Sequence, residues 1–386
     1  MRPSHLALAG LAFLLAACGL QPNTSTPAPP PTTPQAGSPV TASGKTRIAL
    51  LLPLSGRNAP IGQAMQQAAE MALFDSGSRE LALATYDSGE TADAAIQAYR
   101  KARTDGVALV LGPLFGASAT ALGPSVRAGG VNVISFSNDE QAAQPGIWVM
   151  GIAAPPQVRR VVDHAIASGI RRFAVFAPRT AYGEQMTRTL ESHVAVRGGM
   201  VLAAELYNES ADLMAAARRL ASETKSDGKL AVLVPAAPPR LSAVLAALGA
   251  AGIDSHSVQF IGTGVWDVNG IGSETLLRGA WYAAPDPAKR ADFERRFIAT
   301  YGRPAHRFAT LAYDAVALTG QLARLKPGGD FSAEAITNPN GWSGADGVFR
   351  FLPDGRAERA LAVIEIQGGR NTVVGPAPSS FARPVN

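Results

Sequence analysis

The sequence predicts an α/β protein of two doubly wound parallel-sheet lobes joined by crossovers. Three observations carry this. Short, continuously apolar runs of strand length alternate with stretches of helical spacing, the pattern of strands buried on both faces between helices. The alternation runs through four strands and restarts near residue 154 with a second set of similar build. Roughly 340 of the 386 residues follow the first 45, about twice the soft prior of ~150 residues per domain.

The first set opens with "RIALLLPL" (47–54), a strand. "IGQAMQQAAEMALFD" follows, with Ile61, Ala64, Met65, Ala68 and Ala72 at helical spacing. "LALATYD" is a second strand and "TADAAIQAYRKARTDG" a second helix, stopped by Gly106. "VALVLGP", "GASATALGPSVRAGG" and "VNVISFS" continue as strand, helix and strand. In the second set, "PPQVRRVVDHAIASG", "AYGEQMTRTLESHVAVRG", "DLMAAARRLASE" and "RLSAVLAALGAAG" are helices. They alternate with the strands "RRFAVFAP", "MVLAAELY", "KLAVLVPA" and "SVQFIGTG". Short loops between such elements mean parallel sheets covered by helices. Two further helices come next, the second with Phe308, Leu311, Ala312, Ala315, Leu318 and Leu322 on one face. "GVFRFLPDGRAERALAVIEIQGG" reads as a hairpin turning at Pro353, Asp354 and Gly355.

The first 45 residues are of another kind. Arg2 precedes the apolar run "LALAGLAFLLAAC", which is shorter than the ~20 residues a spanning helix needs. A basic start, a short apolar core and small residues before a cut site describe a secretory signal, residues 1–17. Leu15-Ala16-Ala17-Cys18 resembles a bacterial lipobox, in which Cys18 becomes the lipidated first residue and ties the protein to a membrane. Cys18 is the one cysteine in the chain, so no internal disulfide, cysteine-ligated zinc site or catalytic thiol is available. Gly19, where an Asp would signal inner-membrane retention, favours the outer membrane. Residues 18–45 are rich in Pro, Thr and Ser and bury too little to fold. They form a tether reaching on the order of 80 Å at ~3.1 Å per residue.

The formal net charge is +5, with Arg scattered rather than clustered among aromatics, so nucleic acid is not an expected partner. In an open parallel sheet, ligands bind outside the carboxyl ends of the strands, where helix N-termini offer free N–H donors. "PLSGRNAPIG", "GPLFGAS" and "SFSND" would line one side of a cleft, and "APRTAYG" and "GTGVWD" the other. The expected ligand-contacting residues are Ser55, Phe115, Gly116, Ser118, Ser135, Ser137, Asn138, Tyr182 and Trp266. Tyr182 and Trp266 each offer an aromatic face with a polar tip.

These same stretches, with "AYGEQM" and "AYDAVAL", resemble the type-I periplasmic binding proteins, the leucine-binding-protein fold, from Thr46 to the last hairpin. Within that fold, "ALLLPLSG", "GPLF", "SFSND", "GTGVWD" and "TNPNGWSGADGVFRF" are most similar to the penicillin-binding protein activator lipoproteins. The resemblance implies a cleft that closes on ligand and three crossovers. It assigns 46–152 with 285–330 to the first lobe and 153–284 with 331–386 to the second, so that the late helices rejoin the first and the hairpin joins the second. Amino-acid receptors of this fold carry a hydroxyl residue near Gly116, for the ligand carboxylate, and an acid near Gly264, for its ammonium. Both are glycine here, and Asp267 lies three residues beyond the second.

No catalytic constellation stands out. "GRNAPIGQ" lacks the Lys-Ser/Thr pair of a phosphate loop, "GASAT" lacks the glycine of a nucleophile elbow, and the histidines show no metal-ligand spacing. The four histidines beyond the signal, 164, 193, 256 and 306, are expected on surfaces. The expectation is a non-enzymatic periplasmic protein with no cofactor and no metal. It would act as a lipid-anchored activator of a penicillin-binding protein or, alternatively, as the receptor of an ABC-type branched-chain amino-acid importer with a small polar ligand such as an amino acid.

Overall fold

The computed structural model describes residues 44–77, 79–208, 212–225, 228–368 and 371–381. The expected signal, Cys18 and the expected tether up to residue 43 lie outside these. Chain order in the first lobe is β1 (Thr46–Leu52), α1 (Ala59–Asp75), β2 (Leu81–Asp87), α2 (Ala92–Thr104), β3 (Leu109–Leu111), α3 (Gly116–Arg127), β4 (Val133–Ser135) and β5 (Ile147–Val149). The second lobe follows with α4 (Ala154–Ala167), β6 (Arg172–Pro178), α5 (Ala181–Val196), β7 (Met200–Tyr207) and α6 (Leu213–Glu223). It continues with β8 (Leu230–Leu233), α7 (Arg240–Ala250), β9 (Gln259–Gly262) and β10 (Trp281–Ala284).

The first sheet has the order β2-β1-β3-β4-β5, all parallel. The second contains β10-β9-β8-β6-β7, the same winding read in its own chain order, with two later strands on its edge. In both lobes the order reverses between the first and third strands, and this switch point is where such sheets open a crevice at their carboxyl ends.

Strand β1 shows why the apolar runs are continuous. Ile48, Leu50 and Leu52 enter the core under α1, while Ala49 and Leu51 enter the one under α2 and α3. In β6, Phe173, Val175 and Ala177 pack under α4 and α5, and Ala174 and Phe176 under α6 and α7. Alternate side chains point to opposite faces, and both faces are covered. Burying a large apolar side chain contributes ~1.5–3 kcal/mol, so each strand is pinned from two sides.

After β10 the chain returns to the first lobe as α8 (Pro287–Tyr301) and α9 (Ala309–Ala323). Phe293 and Phe297 of α8 pack on Ala68 and Met71 of α1. Leu311, Ala312, Ala315, Leu318 and Leu322 of α9 enter the first core. The short α10 (Ala333–Ile336) precedes β11 (Trp342–Gly344), β12 (Gly347–Phe351) and β13 (Ala357–Arg359), which form a small antiparallel sheet.

The expected C-terminal hairpin is corrected at this point. Its first half pairs as β12–β13 through the turn at 352–356, but Trp342, Phe349 and Phe351 are buried in the first lobe's core with Ile336. Only β14 (Ala362–Glu365) and β15 (Thr372–Gly375) join the second sheet, β14 running antiparallel to β10. The apolar aromatics draw 331–360 to the first lobe, and the lobe change falls near 360 rather than 330. Three crossovers therefore join the lobes, near residues 150–153, 285–286 and 360–361. Among the described residues no helix is long and apolar enough to cross a membrane.

Candidate functional site: a cleft between the lobes

The strand-end loops of the two lobes enclose a cavity of about 440 Å³. On the first lobe, Gly112 follows β3 at φ +102°, and a Cβ there would lie 2.1 Å from the Leu51 carbonyl oxygen, so only glycine fits beside β1. Ser135 Oγ donates to the Pro113 carbonyl at 2.8 Å and accepts from Ser137 N–H at 3.2 Å. Ser137 Oγ accepts from Asp139 N–H at 3.0 Å. These hydroxyls knit the loop after β4 to the loop after β3, and they hold Phe115, Gly116, Ser137, Asn138 and Asp139 at the cavity.

Asp139 Oδ1 caps the next short turn through Gln141 N–H at 3.0 Å. Its Oδ2 lies 3.0 Å from where a Cβ of Gly116 would stand, with Ser137 Oγ at 3.1 Å. Gly116, beside the first turn of α3, is thus walled by the chain's own carboxylate.

On the second lobe, the Tyr182 hydroxyl and Thr263 Oγ1 share a hydrogen bond at 2.8 Å, and burial pushes the tyrosine pKa up. Gly264 N–H donates to the Gln157 side-chain oxygen. Gln157 Nε2 donates in turn to the carbonyls of Ala153 at 3.0 Å and Ile152 at 3.3 Å. A buried, hydrogen-bonded amide therefore fills the space beside Gly264. Asp267 is engaged as well. It accepts from the Tyr282 hydroxyl at 3.4 Å and pairs with Arg290 of α8, across the lobe boundary, at 3.4 Å. Arg290 Nε also donates to Asp346 Oδ1 at 2.8 Å, and Asp346 Oδ2 accepts from Thr310 at 2.6 Å. Burial pulls the Arg290 pKa down, but Asp346 and Asp267 outweigh it and hold the guanidinium above its ordinary value.

The nine residues expected at the ligand divide as follows. Phe115, Gly116, Ser137, Asn138 and Tyr182 line the cavity. Ser55 is exposed on the loop after β1, where its neighbour Asn58 lines the cavity instead. Ser118 and Ser135 are buried behind the wall. Trp266 is fully buried in the second lobe's core, its Nε1 donating to the Ala236 carbonyl at 3.0 Å and its ring filling the space beside Gly262. It packs the lobe and does not line the cavity.

Sequence reasoning missed Gln157, Arg290 and Arg307, and did not single out Asp139 within "SFSND". A signal existed for two of them. Gln157 and Arg290 are each the fourth residue of the helix that follows a crossover, α4 and α8. The first turn of such a helix faces the cleft. The aromatic and aliphatic lining includes Leu114, Phe136, Ile152, Phe308 and Leu311. Among the described lining residues there is no histidine, cysteine or lysine, and no group of three or more His, Cys, Asp or Glu is placed to hold a metal ion among the described residues. Of the histidines, His164 stacks edge-on to Trp281 at 4.7 Å and His193 pairs with Asp163 at 2.7 Å, while His256 is exposed and His306 half-buried.

Two sheet-and-helix lobes around a cleft define a two-lobe binding protein. The chain belongs to the periplasmic binding protein family, which matches residues 45–371, and that family places it in the periplasm. Among solved structures it is similar to a putative branched-chain amino acid ABC transporter from Rhodospirillum rubrum, at 21% identity and TM-score 0.72, over 86% of this chain and 100% of that one. A branched-chain amino acid ABC transporter ligand-binding protein from Burkholderia xenovorans LB400 matches at 16% identity and TM-score 0.71, over 86% and 96%. At these identities the likeness is one of fold. The penicillin-binding protein activator LpoA of Photobacterium profundum is 28% identical over 144 residues, 36% of this chain and 23% of that protein. The chain matches less than half the length of either curated relative found, 23% of one and 46% of the other.

Proposed function

We propose that this chain is a non-catalytic, lipid-anchored activator of a penicillin-binding protein, attached through Cys18 to the outer membrane and working across the periplasm. The observation that carries the reading is the cleft's self-engagement. Where an amino-acid receptor would grip carboxylate and ammonium, Asp139 walls Gly116, Gln157 binds Gly264, and Arg290 pairs with Asp267. A free amino acid would find its usual partners already taken, and a buried ammonium without an acid partner is costly. The partial similarity to a penicillin-binding protein activator and the expected ~80 Å tether support the same reading. The test is peptidoglycan synthesis by penicillin-binding proteins of the same cell, with and without the purified protein. Stimulation, with co-purification of one synthase, is the expected result; no effect on any synthase overturns it.

The second reading, a receptor for an importer, is favoured by the cavity itself, about 440 Å³ and lined by both lobes. A thermal-shift panel of amino acids separates the two. A ligand at 100 times its Kd stabilises by ~2.7 kcal/mol, and such a shift with leucine or a relative would favour the receptor.

A further inference from the structure

Two cations line the cleft. Arg307 is exposed beside Phe308 at 5.7 Å, where solvent screens it. Arg290 is mostly enclosed, its side chain 17% exposed, and its two partners are unequal. The bond to Asp346 is short at 2.8 Å, and Asp346 is wholly buried and anchored by Thr310. The contact to Asp267 is long at 3.4 Å, and Asp267 is a quarter exposed. Its other contact, from the Tyr282 hydroxyl, is also 3.4 Å. A charge-assisted bond between guanidinium and carboxylate settles near ~2.7–2.9 Å when it is well formed. Asp267 is therefore a loosely held counter-ion on a firmly held arginine.

The opposite wall bears on where a ligand's charge can go. The first turn of α3 would attract an anion, but the Asp139 carboxylate already lies against Gly116 there. A second carboxylate at that position would face a like charge. Among the described lining residues the enclosed cation left for an anionic head is Arg290, and much of the remaining lining is apolar, with Phe115, Phe136, Phe308 and Leu311.

We infer that the cleft receives a ligand with an apolar body and a single anionic head, and that the head binds Arg290 by displacing Asp267. This rests on the reading that the cleft takes a ligand at all. Asp267 and Arg290 belong to different lobes, so the exchange replaces an ion pair between lobes with a bond to the guest. Asp346 keeps Arg290 in place throughout.

The test uses three probes with a similar branched apolar body: 4-methylpentanoate, 4-methylpentanamide and 3-methylbutylamine. Calorimetry on the purified protein is expected to give binding of the carboxylate at least tenfold tighter than of the amide or the amine. Asp267→Asn removes the internal competitor and tightens the carboxylate at least threefold. Arg290→Lys keeps a cation beside Asp346 but loses the forked guanidinium, and weakens the carboxylate at least tenfold; its unfolding midpoint reports whether the fold survives, and if it does not, Asp267→Asn alone decides. Weaker carboxylate binding in Asp267→Asn, preference for the amine, or no binding of any probe overturns the inference. The synthase assay is read separately, so loss of this inference leaves the activator reading to its own experiment.

Discussion

The hinge and the rim of the cleft carry similar side chains in opposite states. At the hinge, Asp314 and Asp346 are buried, and Arg290 holds Asp346 at 2.8 Å. Arg359 enters the same cluster, lying over Phe349 at 5.1 Å and donating to the Met150 carbonyl at 2.8 Å, where the chain first leaves the lobe. Burial lowers the Arg359 pKa, and attraction to Asp346 and Asp314 opposes that. At the rim, Arg307 stands exposed. Acid and base side chains thus brace the architecture where they are buried and remain available where they are not. Residue type alone does not separate the two uses; burial and partners do.

The comparison breaks first, and with the largest effect, at Asp346. Asp346→Ala removes the acceptor of Thr310 and the close counter-ion of Arg290. Removing one partner of a buried ion pair costs about 3–5 kcal/mol, and urea unfolding should show a loss of that size. A loss under about 1 kcal/mol would mean that the cluster is not a brace.

A smaller effect is expected from pH. Asp314 Oδ1 accepts from Ala345 N–H at 2.6 Å, while Oδ2 is buried without a hydrogen-bond partner among the described residues. Burial, and then the neighbouring charge of Asp346, push its pKa up to about 7. Between the ordinary carboxylate value and about 7, the folded protein keeps a proton that the unfolded chain has released. Stability therefore falls as pH rises through that window. The unfolding midpoint should drop by several degrees from pH 5 to pH 8, and Asp314→Asn should flatten that drop. A variant that keeps the same slope would assign the dependence to other groups.

How much of this was legible in the sequence follows the same division. The double-sided burial of β1 and β6 is written in their continuous apolar runs, because a strand's two faces alternate within the run itself. Phe115, Ser137, Asn138 and Tyr182 were legible as cleft residues because the loop position alone brings them there. Trp266 was not legible as core. Its loop is at a strand end, but the direction its ring takes depends on the gap beside Gly262 and on the Ala236 carbonyl, 30 residues upstream. The engagement of Asp267 depends on Arg290, which lies 23 residues onward and across a lobe change. The hairpin divided for a similar reason: turn chemistry at Pro353–Gly355 is local, whereas the core that Phe349 and Phe351 fill is not. Local patterning fixes elements and loop positions; partner choice between distant segments is decided by packing.

The smallest effect sharpens the comparison at the rim. Arg307 is exposed and makes no ion pair among the described residues, so Arg307→Ala should leave the unfolding free energy nearly unchanged, within about 0.5 kcal/mol. Its charge nonetheless lies at the cleft, where it raises the local concentration of an approaching anion. If the anionic head ends on Arg290, Arg307 acts during entry and not in the final contact. Stopped-flow binding of 4-methylpentanoate should then show a slower association rate in Arg307→Ala, a difference that shrinks as salt is raised, with the dissociation rate unchanged. An unchanged association rate and a faster dissociation rate would instead put Arg307 in direct contact with the bound anion. That result would move the anion from the hinge to the rim and erase the distinction between the two regions.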